Sequence, residues 1–476
     1  MIDCISREKA YQVISNAESV LEECFEMLLD FKHGGENLGK ALTEFQPKLA
    51  ECLYSLMQFY QELKAEKDLL ISRKTSFDAA EFSRKMAFNA KLSQIVSKTI
   101  SLGKNMGDAY AWFFYRDNRD ELDKHFSHKP TGLFVAGIGG RGELEFIKNC
   151  TNIDGLFVLY HGITNILRIG DFSLYDSEHG IVGVGELKTI QVEDHLRVTA
   201  NITSKVNIEP PSEAKSYTSD DFEASINTLQ KSFPKIRKQL QAQDNLLKAT
   251  EPGPSVSLMS SYEYDLINRL TPSSPVVINQ DNSLMLVAGW SKYNALFDVL
   301  ISDEDADGLP DNLVDLANQL FKPPSQYNEF ILGKLNAQAS LLSIPLLWWD
   351  INDNACHNIY FYKMCIETVF NPAKLLQFYI DDGFQISNFG KLDDIKINKT
   401  VETQRVGVGN FSSICYLITN GLMATPYVYA FSKKITNAIL SGTYPPNSKI
   451  DMHIHLNNFS PPPGVEVEDP IQKEMN

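Results

Sequence analysis

Asn165-Ile-Leu-Arg-Ile-Gly-Asp171-Phe-Ser-Leu-Tyr-Asp176, Ser177-Glu-His-Gly180 and Ile181-Val-Gly-Val-Gly-Glu186-Leu-Lys188-Thr189 follow one another without a break. Two apolar, β-branched runs flank a polar loop ending in glycine, the pattern of a β-hairpin. Closing the hairpin about that loop sets Asp171 opposite Gly185 or Glu186. Strand side chains alternate, so Glu186 and Lys188 share one face and Leu187 points the other way. Two carboxylates and an ammonium are then expected to converge at one spot on a sheet. Hard oxygen ligands of this kind suit Mg²⁺, which keeps several waters and leaves room for a phosphodiester oxygen.

The neighbouring segments extend the pattern. Upstream, Gly139-Gly-Arg-Gly142-Glu143-Leu-Glu145-Phe-Ile-Lys148 reads as a loop entering a short helix, and Gly155-Leu-Phe-Val-Leu-Tyr160 reads as a strand. Downstream, residues 219–248 read as a helical segment interrupted at Pro234 and carrying Lys235, Arg237, Lys238 and Gln239. Strand patterns follow at Pro275-Val-Val-Ile278 and Leu284-Met-Leu-Val287. An Asp on one strand, Glu-x-Lys on the next, and this order of elements together resemble the PD-(D/E)xK nuclease superfamily.

That resemblance implies an α+β protein whose central αβββαβ core is restriction-endonuclease-like. The core would fall within residues 73–250, behind a helical bridge, with its last strand within 275–290. It further implies Mg²⁺ (or Mn²⁺) held by Asp171, Glu186 and the main-chain carbonyl of Leu187. Lys188 would position the attacking water, and the preceding helix would add another acid, Glu143, with Glu145 in reserve. Arg237 and Gln239 would touch a phosphate backbone. The expected activity is hydrolysis of DNA, in restriction or anti-phage defence. The competing expectation is a non-enzymatic, oligomerising interaction protein built on a degenerate nuclease fold.

A second motif overlaps the first. Gly137-Ile-Gly139-Gly-Arg-Gly142 fits G-x-G-x-x-G, follows the strand-like Gly132-Leu-Phe-Val-Ala136 and precedes a helix. Such a turn can cradle a pyrophosphate on backbone amides. The acid that should bind a ribose after the next strand is missing, since Tyr160-His161-Gly162 occupies that place. A hairpin follows instead of alternating strands and helices, which argues against a dinucleotide fold.

The N-terminal region is helical by pattern. Ile14, Ala17, Leu21, Cys24, Leu28 and Phe31 recur three and four apart, and His33-Gly34-Gly35 ends the run with a glycine suited to a left-handed cap. The pattern resumes at Leu42, Phe45, Leu49, Cys52, Leu56, Phe59 and Leu63, with Pro47 near its start. Residues 1–72 therefore read as a helical hairpin or coiled-coil arm, a surface for homo-oligomers or a helical partner. Helix continues from Ser76 to Tyr115, with Asp108 as an N-cap and the aromatic run Ala109–Tyr115 filling a core.

The composition of the whole, 476 residues with 43% hydrophobic and 22% charged, is that of an ordinary globular chain. Its longest apolar stretch, near Leu341–Trp349, is broken by Ser343 and Pro345, and no secretory signal is visible, so no membrane role is expected. Seven cysteines without C-x-x-C spacing fit reduced thiols and a cytoplasmic location. The net charge of −16 opposes tight nonspecific binding to nucleic acid.

Thr250-Glu-Pro-Gly-Pro-Ser255 reads as a linker, and residues 251–476 as a mixed α/β domain for sensing or target recognition. There Asp303-Glu-Asp305-Ala-Asp307-Gly308 resembles a calcium loop, but Val314 stands where a bidentate Glu is needed. Asp451, His453 and His455 could meet zinc on one strand face, although their alternation with Ile450, Met452, Ile454 and Leu456 fits a half-buried strand better.

Overall fold

The three- and four-residue spacing of apolar side chains builds the first helices. Helix α1 (Arg7–His33) opens at Ser6, whose hydroxyl accepts from the Lys9 amide, and closes at Gly34 with φ 63°. Helices α2 (Leu38–Ser72) and α3 (Ala79–Tyr115) follow. The computed structural model describes residues 5–34, 38–116, 118–126, 128, 137–192, 195–205, 255–260, 262–302, 309–310, 312–321, 330–335, 337, 344–387, 395–401, 404–408, 411–441 and 451–456. Arg237, Gln239 and the rest of 219–248, residues 303–308 and 311 of the calcium-like loop, and the Pro-rich tail lie outside them.

Contacts divide the chain into residues 1–249 and 250–476. In the first unit α3 packs against both α1 and α2, and Ile14, Leu21, Leu28, Leu49, Leu56, Leu63, Leu92 and Val96 are all buried. The helical hairpin is thus part of a three-helix layer and not a free arm, because α3 covers its apolar stripe. Helix α2 begins a turn before the expected start, which puts Pro47 in its interior. Buried Ala41, one turn ahead of Phe45, continues the apolar stripe past the place where proline forfeits a hydrogen bond.

Helices α4 (Arg119–Phe126) and α5 (Ile138–Asn149) lead into a five-stranded antiparallel sheet in simple chain order. Its strands are β1 (Asn152–Ile153), β2 (Leu156–Tyr160), β3 (Phe172–Asp176), β4 (Gly180–Val192) and β5 (His195–Ser204). Strand β1 is only two residues long, and Gln46 of α2 substitutes for it further along. Its amide donates to Val158 O at 2.9 Å and its carbonyl accepts from Tyr160 N at 2.9 Å. Tyr110, Phe114 and Tyr115 are buried, and Phe114 stacks on Phe157 with centroids 5.1 Å apart, so the aromatic run seats α3 on the sheet.

The hairpin forms in the expected place, with Phe172 opposite Gly185. The segment after it extends the sheet as β5, paired with β4 from Gly183–Ser204 to Val192–His195. The closing helix and strand of an αβββαβ core are not found among the described residues. The strand patterns at 275–290 form β7 (Val276–Ile278) and β8 (Leu284–Trp290) in a different sheet with β9 (Ile331–Leu335) and β10 (Met364–Phe370), ordered β7-β8-β10-β9. Leu284 to Ala288 are buried on both faces, and β8 lies between β7 and β10.

In the second unit β9 (Ile331–Leu335) and β10 (Met364–Phe370) complete that sheet. A three-stranded sheet comprises β11 (Gln385–Ser387), β12 (Lys396–Val401) and β13 (Gln404–Val408). The histidine-bearing segment is strand β14 (Asp451–Leu456), parallel to β6 (Ser255–Ser260). Asn358–Tyr362, which has strand composition, instead ends a helix over Asp353–Tyr360. Asn352 caps that helix by accepting from the Asn354 amide, and local capping overrides β propensity. Trp348 and Trp349 are buried, with Trp349 stacked on Tyr264 at 4.5 Å. Among the described residues no helix is long and apolar enough to cross a membrane.

Beside that stack, Glu263 accepts from Asn279 Nδ2 at 3.1 Å and 3.2 Å. Burial, with Asp281 and Asp265 adding to it, pushes its carboxyl up to about 7. A raised carboxyl withdraws stability as pH climbs from its unfolded value through the folded one. Allowing for its partial exposure, Glu263→Gln is expected to gain about 1–2 kcal/mol on going from pH 5 to pH 8 relative to wild type. Urea unfolding at the two pH values measures this, and parallel pH profiles would refute it.

Candidate active site

The site is built at the mouth of the β3–β4 hairpin. Phe172 lies across Gly185, where a Cβ would come within 2.0 Å of the ring, so only glycine allows this register. With β4 fixed there, Asp171 N donates to Gly185 O at 2.8 Å, and Asp171 Oδ2 accepts from Leu187 N at 2.6 Å. The N–H and C=O of a strand residue point to the same side. The Leu187 carbonyl therefore faces the β3 side of β4, as its amide does.

Glu186 is 4% exposed and is in contact with Lys188, Oε1 to Nζ, while the Lys188 side chain is 44% exposed. The two share one face, as alternation requires. On α5, Glu143 is partly buried and Glu145 is exposed. Burial and then the neighbouring Asp171 charge push the Glu143 carboxyl up to about 8, with Lys104 opposing.

Of the residues singled out by sequence, the Asp171 charge acts on Glu143, and Glu186 is in contact with Lys188. Among the described residues no three His, Cys, Asp or Glu side chains come together as a metal-ligand group. The Asp171 carboxylate, the Leu187 carbonyl on the β3 side of β4 and the Glu143 carboxyl, which feels the Asp171 charge, are hard oxygen donors. One or two carboxylates with waters are the usual protein contribution to Mg²⁺, and the donor set fits that ion.

Several supporting residues escape a reading by motif. Lys104 on α3 is 4% exposed, donates to Thr164 O at 3.3 Å and is lowered in pKa by burial against the pull of Asp108 and Glu143. Asp108 is not an N-cap, because it lies inside α3 and is fully buried. It accepts from Asn165 N at 2.5 Å, Asn165 Nδ2 at 3.0 Å and Ile166 N at 3.0 Å, capping the turn that precedes the hairpin. Two opposite charges four apart within the apolar stretch Leu102–Tyr115 were the available signal. Arg168 is also structural, donating to the carbonyls of Asn165, Phe126 and His128.

A test of the raised Glu143 carboxyl follows from linkage. The Glu143 carboxyl is higher folded than unfolded, and stability drains away as pH rises from about 4.5 through about 8. Glu143→Gln is expected to recover about 3 kcal/mol at pH 8 relative to pH 5, read by urea unfolding. A variant with the wild-type pH profile would show that the Glu143 carboxyl is not raised on folding. No family model matches the chain, and comparisons with curated proteins and with solved structures found no significant match.

Proposed function

We propose that residues 1–249 carry a divalent-metal-dependent nuclease centre that hydrolyses phosphodiester bonds of DNA. The observation that carries the reading is the mouth of the hairpin, where Asp171 grips the Leu187 amide and the Glu186–Lys188 pair stands on the adjoining strand. Asp171, the Leu187 carbonyl and Glu143 would hold Mg²⁺ or Mn²⁺. The bound ion supplies Lewis acidity toward the scissile phosphate and toward water. Lys188, with its exposed stem, donates hydrogen bonds to a phosphate oxygen or to the attacking water. Glu186 directs that ammonium by its contact with it. The resemblance of these residues to the PD-(D/E)xK pattern supports the same activity, and a role in restriction or phage defence is an analogy drawn from that pattern.

The turning of Glu186 onto Lys188 favours one rival, a nuclease-like fold that has lost cleavage and serves as an interaction module. Incubating plasmid and single-stranded DNA with the full chain and Mg²⁺ or Mn²⁺ separates the two. Wild type is expected to cut, and Asp171→Ala and Lys188→Ala are expected not to. Equal cutting by all three, or none by wild type, would remove the nuclease reading.

A further inference from the structure

Beneath the hairpin four buried polar side chains from four segments join in one line. They are Tyr115 at the end of α3, His125 on α4, His161 just after β2 and Ser173 on β3, each at most 1% exposed. His125 Nδ1 accepts from Arg168 N at 2.9 Å and Ile169 N at 3.1 Å, so its proton sits on Nε2. That Nε2–H points to Tyr115 Oη at 3.1 Å. Tyr115 in turn meets Ser173 Oγ at 2.6 Å, and Ser173 Oγ meets His161 Nε2 at 2.7 Å. At the far end His161 Nδ1 lies 3.1 Å from the Gly170 carbonyl and must be the protonated nitrogen.

Only one set of proton positions satisfies every member. His125 donates to Tyr115, Tyr115 to Ser173, Ser173 to His161, and His161 to Gly170. The line begins on two backbone amides and ends on a backbone carbonyl, with no solvent group or free base at either end. It therefore fixes orientation and does not carry protons. What it fixes is specific: residues 168, 169 and 170 are held by the two imidazoles, and His161 N donates to Asp171 O at 2.9 Å. Ser173 also stands in β3, two residues beyond Asp171, which ties the far side of that residue.

We infer that His125, Tyr115, Ser173 and His161 are positioning residues that set the backbone of Asp171 and so aim its carboxylate at the cation. The inference rests on the metal reading of Asp171, and outer-shell partners of this kind commonly tune ligand geometry. The hydroxyl of Ser173 is the central link, because its removal interrupts the line while adding no bulk.

Two measurements on the full chain test this. Nitrogen-15 spectra of the imidazoles at neutral pH are expected to show His125 as the Nε2–H tautomer and His161 as the Nδ1–H tautomer. The reverse assignment for either would overturn the line itself. Mn²⁺ titration followed by electron paramagnetic resonance is expected to give binding in wild type, none in Asp171→Ala and about tenfold or more weaker binding in Ser173→Ala. Ser173→Thr, which keeps a hydroxyl, is expected to restore affinity. Binding by Asp171→Ala at the wild-type level, or none by wild type, removes the metal reading and this role with it. Wild-type affinity in Ser173→Ala, with Asp171→Ala inert, leaves the metal site standing and overturns the positioning role alone.

Discussion

Asp108→Ala is expected to cost about 3–5 kcal/mol of folding stability, the range for removing one member of a buried charge pair. The carboxylate is fully buried and takes three hydrogen bonds from the 165–166 turn. Alanine leaves two backbone amides without an acceptor and the Lys104 ammonium without its neighbouring counter-charge. The adjacent helix surface cannot shift to compensate. A Cβ on Gly107 would lie 2.0 Å from the Ile163 carbonyl oxygen, so backbone already touches backbone there. Asp108→Asn keeps an acceptor and is expected to lose only about 1–2 kcal/mol. Burial raises the Asp108 carboxyl to about 6, with the hydrogen bonds and Lys104 opposing. Because the folded value exceeds the unfolded one, wild type gives up stability as pH rises from about 4 through about 6, and the Asn variant does not. Urea unfolding of the three proteins at pH 4.5 and pH 7.5 checks both points. An alanine variant as stable as wild type would mean that the turn is held by other contacts.

How far the fold was legible depends on the range of the interactions that decide it. The hairpin, its register to within one residue, the helix before it and the cap at Gly34 rest on alternation, heptad spacing and glycine chemistry within a few residues. The resemblance, and no local signal, singles out Glu143 over Glu145 on the same helix, and the Asp171 charge acts on the Glu143 carboxyl. The partners of β7 and β8 were not legible, because two apolar strands fit any sheet that covers both faces. Nor was the internal place of Pro47, which depends on how far the buried stripe of α2 runs back past Ala41. The Tyr115–His125–Ser173–His161 line has no sequence signature at all. Its members are 10 to 58 residues apart along each hydrogen bond, and each looks in isolation like an ordinary polar residue. The contact between the Glu186 and Lys188 side chains was equally hidden, since alternation assigns a face but not a rotamer.

Replacing Asp171 by asparagine or alanine should separate what its charge does from what its hydrogen bond does. In both variants metal-dependent cleavage is expected to fall about a thousandfold, equivalent to about 4 kcal/mol of transition-state stabilisation. Neither an amide nor a methyl group can bring an anionic oxygen to the cation. The two should differ in stability. Asparagine retains an oxygen for the Leu187 amide, which now donates to Asp171 Oδ2 at 2.6 Å, whereas alanine leaves that amide at the hairpin mouth unanswered. Asp171→Ala is therefore expected to be about 1–2 kcal/mol less stable than Asp171→Asn, measured by urea unfolding without metal. Glu143 supplies an internal check, because loss of the 171 charge removes the second largest cause of its raised carboxyl. Its titration should move down in both variants alike, visible as a smaller loss of stability between pH 5 and pH 8. Retained cleavage in Asp171→Asn, together with an unchanged pH profile, would show that residue 171 serves the hairpin and not the reaction. The chemistry would then have to be sought around Glu186 and Lys188, where a buried carboxylate and a half-exposed ammonium already stand in contact.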